Sequence, residues 1–120
     1  MKSLYLSFAL LFLSAVGFAQ KPSCADVVEF VKTNGYQVRS IPSYILNSSW
    51  LSQVTAYNYQ SKIYVVAKIK RNEYDFSPSS YVFCGIPQQN WNAFSSMYNT
   101  KDSYGERFHA YIMDYTCDCG

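Results

Sequence analysis

Few residues in this 120-residue chain have the chemistry to act on or hold a ligand: one histidine, His109, four cysteines, and a basic group at Lys68, Lys70 and Arg71. A catalytic nucleophile needs a base within hydrogen-bond reach. No serine or cysteine stands at a known spacing from His109. His109 follows Phe108 beside an apolar stripe and reads as a structural or solvated side chain. Glu73 and Asp75 share one strand face next to Lys70 and Arg71. An acid/base pair needs two contrasting environments, and a mixed surface charge patch accounts for these residues better. Gly35, Gly85, Gly105 and Gly120 are isolated, so no loop cradles a phosphate. No zinc-protease or nucleophile-elbow pattern occurs. These residues point away from an enzyme and require no cofactor.

The cysteines take their meaning from the N-terminus. Met1-Lys2-Ser3 carries one positive charge, an uncharged apolar run follows from Leu4, and Gly17-Phe18-Ala19 offers small residues where a signal peptidase reads. These are the parts of a secretory signal, so Met1–Ala19 is expected to be cleaved, leaving a chain that starts near Gln20. The run is short for a membrane anchor. Lys21-Pro22-Ser23 before Cys24 does not suit lipidation. The expected destination is the periplasm or the exterior of a bacterial cell, with no membrane insertion after cleavage. In such a compartment Cys24, Cys84, Cys117 and Cys119 imply two disulfides. A Cys117–Cys119 bridge would close a very tight ring. The preferred pairing joins Cys24 and Cys84 each to one member of the Cys117-x-Cys119 pair, in either order. The rival is a metal site with His109 as fourth ligand, but zinc sites usually show two paired knuckles and only one close pair exists here.

The basic group lies on a strand. Over Lys62–Lys70, Ile63, Val65, Ala67 and Ile69 alternate with Lys62, Tyr64, Lys68 and Lys70. This is the pattern of a half-buried antiparallel strand. If neighbouring aromatics reach the polar face, rings and cations would alternate on an open sheet, as on platforms that hold single-stranded nucleic acid. The candidate binding face is Tyr57, Tyr59, Tyr64, Lys68, Lys70 and Arg71. The blander account puts the aromatics under helices and leaves the lysines to solubilise. The net charge of +2, or +1 without Lys2, favours the blander account.

The elements that position these residues follow from the same kind of reading. Ser23 caps a helix with Asp26 in its first turn, and Asn34-Gly35 ends it, glycine suiting a left-handed final turn. Tyr36–Ile41 carries a weaker strand signal, followed by loop from Pro42. Trp50–Tyr59 pairs with the Lys62 strand through Gln60-Ser61. A third strand is expected at Tyr74–Phe76, interrupted near Pro78 and resuming at Tyr81–Cys84. Pro87 opens a helix with Trp91, Phe94, Met97 and Tyr98 on one side. Ser103-Tyr-Gly-Glu106 is a capping box before a stripe of Tyr104, Phe108, Tyr111, Ile112 and Tyr115. After cleavage about 100 residues remain, enough for one domain. The expected architecture is α+β: an N-terminal helix, a three-stranded antiparallel meander, and two C-terminal helices on one sheet face. Residues 20–48 form a helix and connecting segment that make one compact unit with 49–120.

From Ser49 onward the order and its punctuation resemble the KTSC domain, a short module also found at the C-terminus of some lysyl-tRNA synthetases. The matching residues are an aromatic-x-aromatic at Tyr81-Val82-Phe83, then Gly85-Ile86-Pro87, an aromatic helix, Ser103-x-Gly105, Phe108, and a closing Ile112 and Tyr115. Phe83 stands where the family usually has tyrosine, and His109 where it tends to have a small polar residue. The N-terminal helix and all four cysteines lie outside the family's usual pattern. The resemblance implies mainly a fold. The family has no established catalytic activity, and its link to a synthetase suggests RNA binding.

The expected function is therefore an exported, non-catalytic binding or interaction module for a protein, peptide or glycan partner. The alternative is nucleic-acid binding through the lysine and tyrosine face.

Overall fold

The computed structural model of the protein describes residues 21–98 and 101–119. The expected signal segment, Met1–Ala19, lies outside the described residues. The chain runs α1 (Cys24–Asn34), β1 (Tyr36–Ile41), α2 (Ser43–Leu46), β2 (Leu51–Tyr59), β3 (Lys62–Ile69), β4 (Ser79–Ile86), α3 (Gln88–Ser95) and α4 (Tyr104–Tyr111). The strands form one antiparallel sheet in the order β1-β2-β3-β4. The expected three-stranded meander thus becomes four-stranded, with Tyr36–Ile41 as an edge strand. A register shift between Gln37 and Arg39 breaks its alternation, which is why its strand signal is weak.

Helix α1 starts as its sequence requires, with the Ser23 hydroxyl accepting from the Asp26 amide at 3.0 Å. Its end differs from expectation. Gly35 is extended (φ −87°, ψ 175°), not left-handed. Space demands the glycine: a Cβ there would lie 2.8 Å from the Val31 carbonyl oxygen and 2.9 Å from that of Asn58. The β2–β3 turn is the expected Gln60-Ser61, both at positive φ, the backbone whose twist suits a two-residue hairpin.

The segment Tyr74–Phe76 is not a strand. Asp75 oxygens accept from the amides of Arg71 at 3.1 Å and Ser77 at 3.0 Å, and Asn72 Oδ1 accepts from the Tyr74 amide at 2.9 Å. Such local side-chain bonds offer the backbone an alternative to a ladder. Tyr74 and Phe76 are consequently exposed. Strand β4 then runs unbroken to Ile86. Near its end Cys84 and Gly85 together face Tyr64, a bulge that gives Gly85 its φ of +64°.

One face of the sheet carries the main core. Leu51, Val54, Ile63, Val65 and Phe83 meet Trp91 and Phe94 of α3 and Phe108 of α4, with Ile112 beyond it. The Phe108 ring stands edge-on to Phe83 at 5.2 Å and to Phe94 at 5.6 Å. Burying each such ring contributes roughly 1.5–3 kcal/mol. Helix α3 ends at Ser95, so Met97 and Tyr98 do not continue its stripe and are exposed. Its last carbonyls are taken by two arginines. Arg107 Nε donates to Phe94 O at 3.0 Å, and Arg39 Nη1 donates to Ser95 O at 2.8 Å. Positive groups at a helix C-terminus satisfy orphan acceptors and the dipole together. On α4 the Ser103 hydroxyl accepts from the Glu106 amide at 3.1 Å and donates to the Glu106 carboxylate at 3.1 Å, so the box closes on the hydroxyl.

Helix α1 packs on the opposite face, so the helices do not all lie on one side. Val31 meets Val66 and Val82 there, with Val27, Val28, Tyr57 and Tyr64 packed around them. Two disulfides hold this layer: Cys24–Cys119 ties α1 to the C-terminal tail, and Cys84–Cys117 ties that tail to β4. Their sequence separations of 95 and 33 close long loops, which the chain-entropy model credits with roughly 3–5 kcal/mol each. The tail also runs beside β4, where the Cys84 amide donates to Tyr115 O at 2.7 Å. Disulfides are in keeping with an oxidising compartment. Among the described residues no helix is long and apolar enough to cross a membrane.

Candidate functional site: a polar cleft beside the first helix

The face under α1 is divided lengthwise. At one end β2 and β3 pair Tyr57 with Tyr64, and both rings pack toward α1. Tyr59 meets Phe30 of α1 edge-on at 5.0 Å. Burial raises the Tyr57 phenol above the usual tyrosine range. At the other end no helix among the described residues covers the sheet. The strands there present Ser40 from β1, Gln53 and Thr55 from β2, and Lys68 from β3.

These polar residues line a cleft of about 150 Å³. Its floor is organised. Gln53 Nε2 donates to Ser40 Oγ at 3.1 Å, and the Ser40 and Thr55 hydroxyl oxygens are 2.9 Å apart. Ser40 and Thr55 stand directly opposite each other in the β1–β2 ladder, a cross-strand hydroxyl pair. Thr55 is only 7% exposed. Val66 and Tyr57 complete the floor, while Lys32 from the end of α1, Gln37, Lys68 and Ser80 form the rim. Lys32 and Lys68 have no ion pair among the described residues, and no carboxylate lines the cleft.

The expected binding face is thus brought together only in part. Tyr57 and Lys68 share the cleft. Tyr64 and Tyr59 lie under or beside α1, and Lys70 and Arg71 lie past the end of β3. Arg71 is engaged with Asp75, its Nε 3.2 Å from Oδ2. That hydrogen bond, foremost, holds the Asp75 carboxyl down at about 2. Tyr81 and Phe83 point to the other face: Phe83 is in the main core, and Tyr81 is half-exposed at its edge. Sequence reading missed Ser40, Gln53 and Thr55. Their signal was present as polar residues in strand positions, Ser40 opposite Thr55, Thr55 opposite Val66 and Gln53 opposite Lys68.

The KTSC-like motif residues sit at structural positions. Gly85 makes the bulge, and Pro87 stands at the N-cap of α3, just outside the first turn where it was expected. Ser103 caps α4, and a Cβ on Gly105 would lie 3.0 Å from Trp50 Nε1. Phe108 and Ile112 are fully buried, and Tyr115 packs against the core. His109 is exposed, its ring 5.0 Å from that of Trp50 in a second cleft with Glu106 and Ser103. Asp114 does not line that cleft. All four cysteines are bonded, so none is free as a metal thiolate. No cluster of three or more potential metal-ligating side chains occurs among the described residues.

Comparison with protein-family models, with curated proteins and with solved structures returned no match.

Proposed function

We propose that this chain is an exported, non-catalytic binding module of the KTSC type, and that it holds a polar ligand or partner in the cleft beside α1. The observation that carries the reading is the cleft itself. A sheet face that is not covered and not part of a core usually carries scattered solubilising groups. Here the two floor hydroxyls are hydrogen-bonded to each other, Thr55 buried and Ser40 half-buried, which is the preorganisation a binding site needs. The KTSC part of the reading rests on the sequence resemblance alone, at Tyr81-Val82-Phe83, Gly85-Ile86-Pro87, Ser103-x-Gly105 and Phe108. Export is supported by the two disulfides and by the signal-like Met1–Ala19 sequence.

The nucleic-acid alternative draws its support from Lys68 and Tyr57 in one cleft. It is the weaker reading because Tyr59 and Tyr64 pack against α1 and offer little open ring surface for bases to stack upon.

The test is amide chemical-shift mapping on the secreted, disulfide-intact protein, titrated with pooled peptides, pooled oligosaccharides and single-stranded RNA. Shifts concentrated at Ser40, Gln53, Thr55 and Lys68 are expected with at least one pool. Shifts confined to the Trp50–His109 cleft, or turnover of a pool, would refute the proposal.

A further inference from the structure

The donor inventory of the cleft narrows its ligand, given the reading above that the cleft is a binding site. The Ser40 and Thr55 hydroxyls share one hydrogen bond, and Ser40 already accepts from Gln53. Whichever hydroxyl donates in the shared bond, the other keeps a hydrogen with no acceptor in the floor. Gln53 Nε2 has a second hydrogen. Tyr57 adds a phenol O–H, and Lys32 and Lys68 add ammonium groups with no ion pair among the described residues. Against these donors no carboxylate among the described residues lines the cleft. Surplus donors with uncompensated positive charge call for an anionic ligand rich in acceptors.

Size and placement select among anions. The volume of about 150 Å³ is below the ~300–1,000 Å³ of ordinary small-molecule sites, so one unit of a longer chain fits better than a large ligand. The cleft lies over the face of a sheet, where backbone amides and carbonyls are already paired between strands. A peptide is usually read through backbone bonds at a sheet edge, whereas this cleft is floored by side chains on the sheet face. Bases need open ring faces, and Tyr59 is already against Phe30. Hydroxyls and amides spaced across three strands instead match the hydroxyls of a sugar ring, each both donor and acceptor. Lysine is a point charge that meets a single anionic group without demanding a planar bidentate partner.

We infer that the cleft binds one carboxylated sugar residue of an acidic glycan, with Lys32 and Lys68 flanking the carboxylate and the Ser40–Thr55–Gln53 floor meeting the ring hydroxyls. The test titrates the secreted protein with a galacturonate trisaccharide, the neutral galactose trisaccharide and a short single-stranded RNA, read by amide shifts. The acidic trisaccharide should move Thr55, Tyr57 and Lys68. The neutral sugar should bind at least about tenfold more weakly, the worth of one lost charged contact. Lys68→Glu, a surface change that leaves the floor intact, should weaken the acidic sugar by about tenfold or more, and added salt should weaken it as well. Thr55→Val should also weaken it while the disulfides and unfolding midpoint show the fold retained. Equal binding of both sugars, or indifference to Lys68→Glu, would overturn the acidic-sugar inference while leaving the cleft as a binding site. RNA moving the cleft resonances more strongly than either sugar would overturn it in favour of nucleic acid. A cleft silent to all three probes while another site responds would overturn both readings.

Discussion

The two faces of the sheet are built on different terms. The face under α3 and α4 carries the apolar core, sealed by interlocked rings at Phe83, Phe94 and Phe108, with Arg39 and Arg107 closing the end of α3. The face under α1 has a small apolar patch of Val31, Val66 and Val82, then gives way to hydroxyls, an amide and lysines. The first face holds by packing. The second holds its helix with a few valines and two covalent staples that meet in the tail at Cys117 and Cys119. The comparison suggests a division of labour in which one face makes the domain stable and the other can leave part of its surface open for a ligand.

Phe108→Ala would strike the sealed face hardest. It should cost about 3–5 kcal/mol, read by denaturant unfolding, because a fully buried ring is lost and a cavity is left. A cost near that of a surface change would mean that the two-helix face is not the main core. Removing the Cys24–Cys119 staple as the double Cys24→Ala, Cys119→Ala variant should cost about 3–5 kcal/mol through the freer unfolded chain. A loss below about 0.5 kcal/mol would mean that α1 is held without it.

Smaller effects sharpen the contrast. Ser103→Ala removes the cap of α4 and should cost about 1 kcal/mol, with helix fraying confined to that end. Asp75 affects neither face but orders the loop between β3 and β4. Its carboxyl titrates at about 2, held there first by the Arg71 side chain and then by the Arg71 and Ser77 amides. An unfolded aspartate titrates at about 3.9. Its contribution is therefore present above that value and disappears as the pH falls through about 2. The Arg71 and Ser77 amide shifts should follow that low midpoint. A midpoint at the ordinary aspartate value would mean that the loop bonds are absent in solution.

Much of this was legible in the sequence, and the gaps have physical causes. Ser23 and Ser103 announced two helix starts because a capping hydroxyl acts locally. The β2–β3 hairpin was legible because Ile63, Val65 and Ala67 keep period two. Residues 74–76 misled because two aromatics around an aspartate resemble a strand, whereas the Asp75 carboxylate captured the backbone and turned it. Gly35 was read for conformational freedom when it was needed for clearance, a contact with Asn58 that no local pattern records. The face chosen by α1 carried a faint mark: Val66, a lone apolar residue among Tyr64, Lys68 and Lys70, is where the helix lands. The candidate face failed as a unit because same-face residues on a strand spread over a length that α1 only half covers. Ser40, Gln53 and Thr55 went unnoticed because their hydrogen bonding depends on the register of β1 against β2.

The account turns on α1 being a stapled layer, separable from a face that stands without it. Native-state hydrogen exchange on the wild type and on the Cys24→Ala, Cys119→Ala variant tests this most directly. The expected result is faster exchange at α1 amides such as Val28 and Val31 in the variant, while Phe108, Val65 and their neighbours keep protection close to the variant's global stability. Equal loss of protection in α1 and α4, with both opening only on global unfolding, would contradict the division between the two faces.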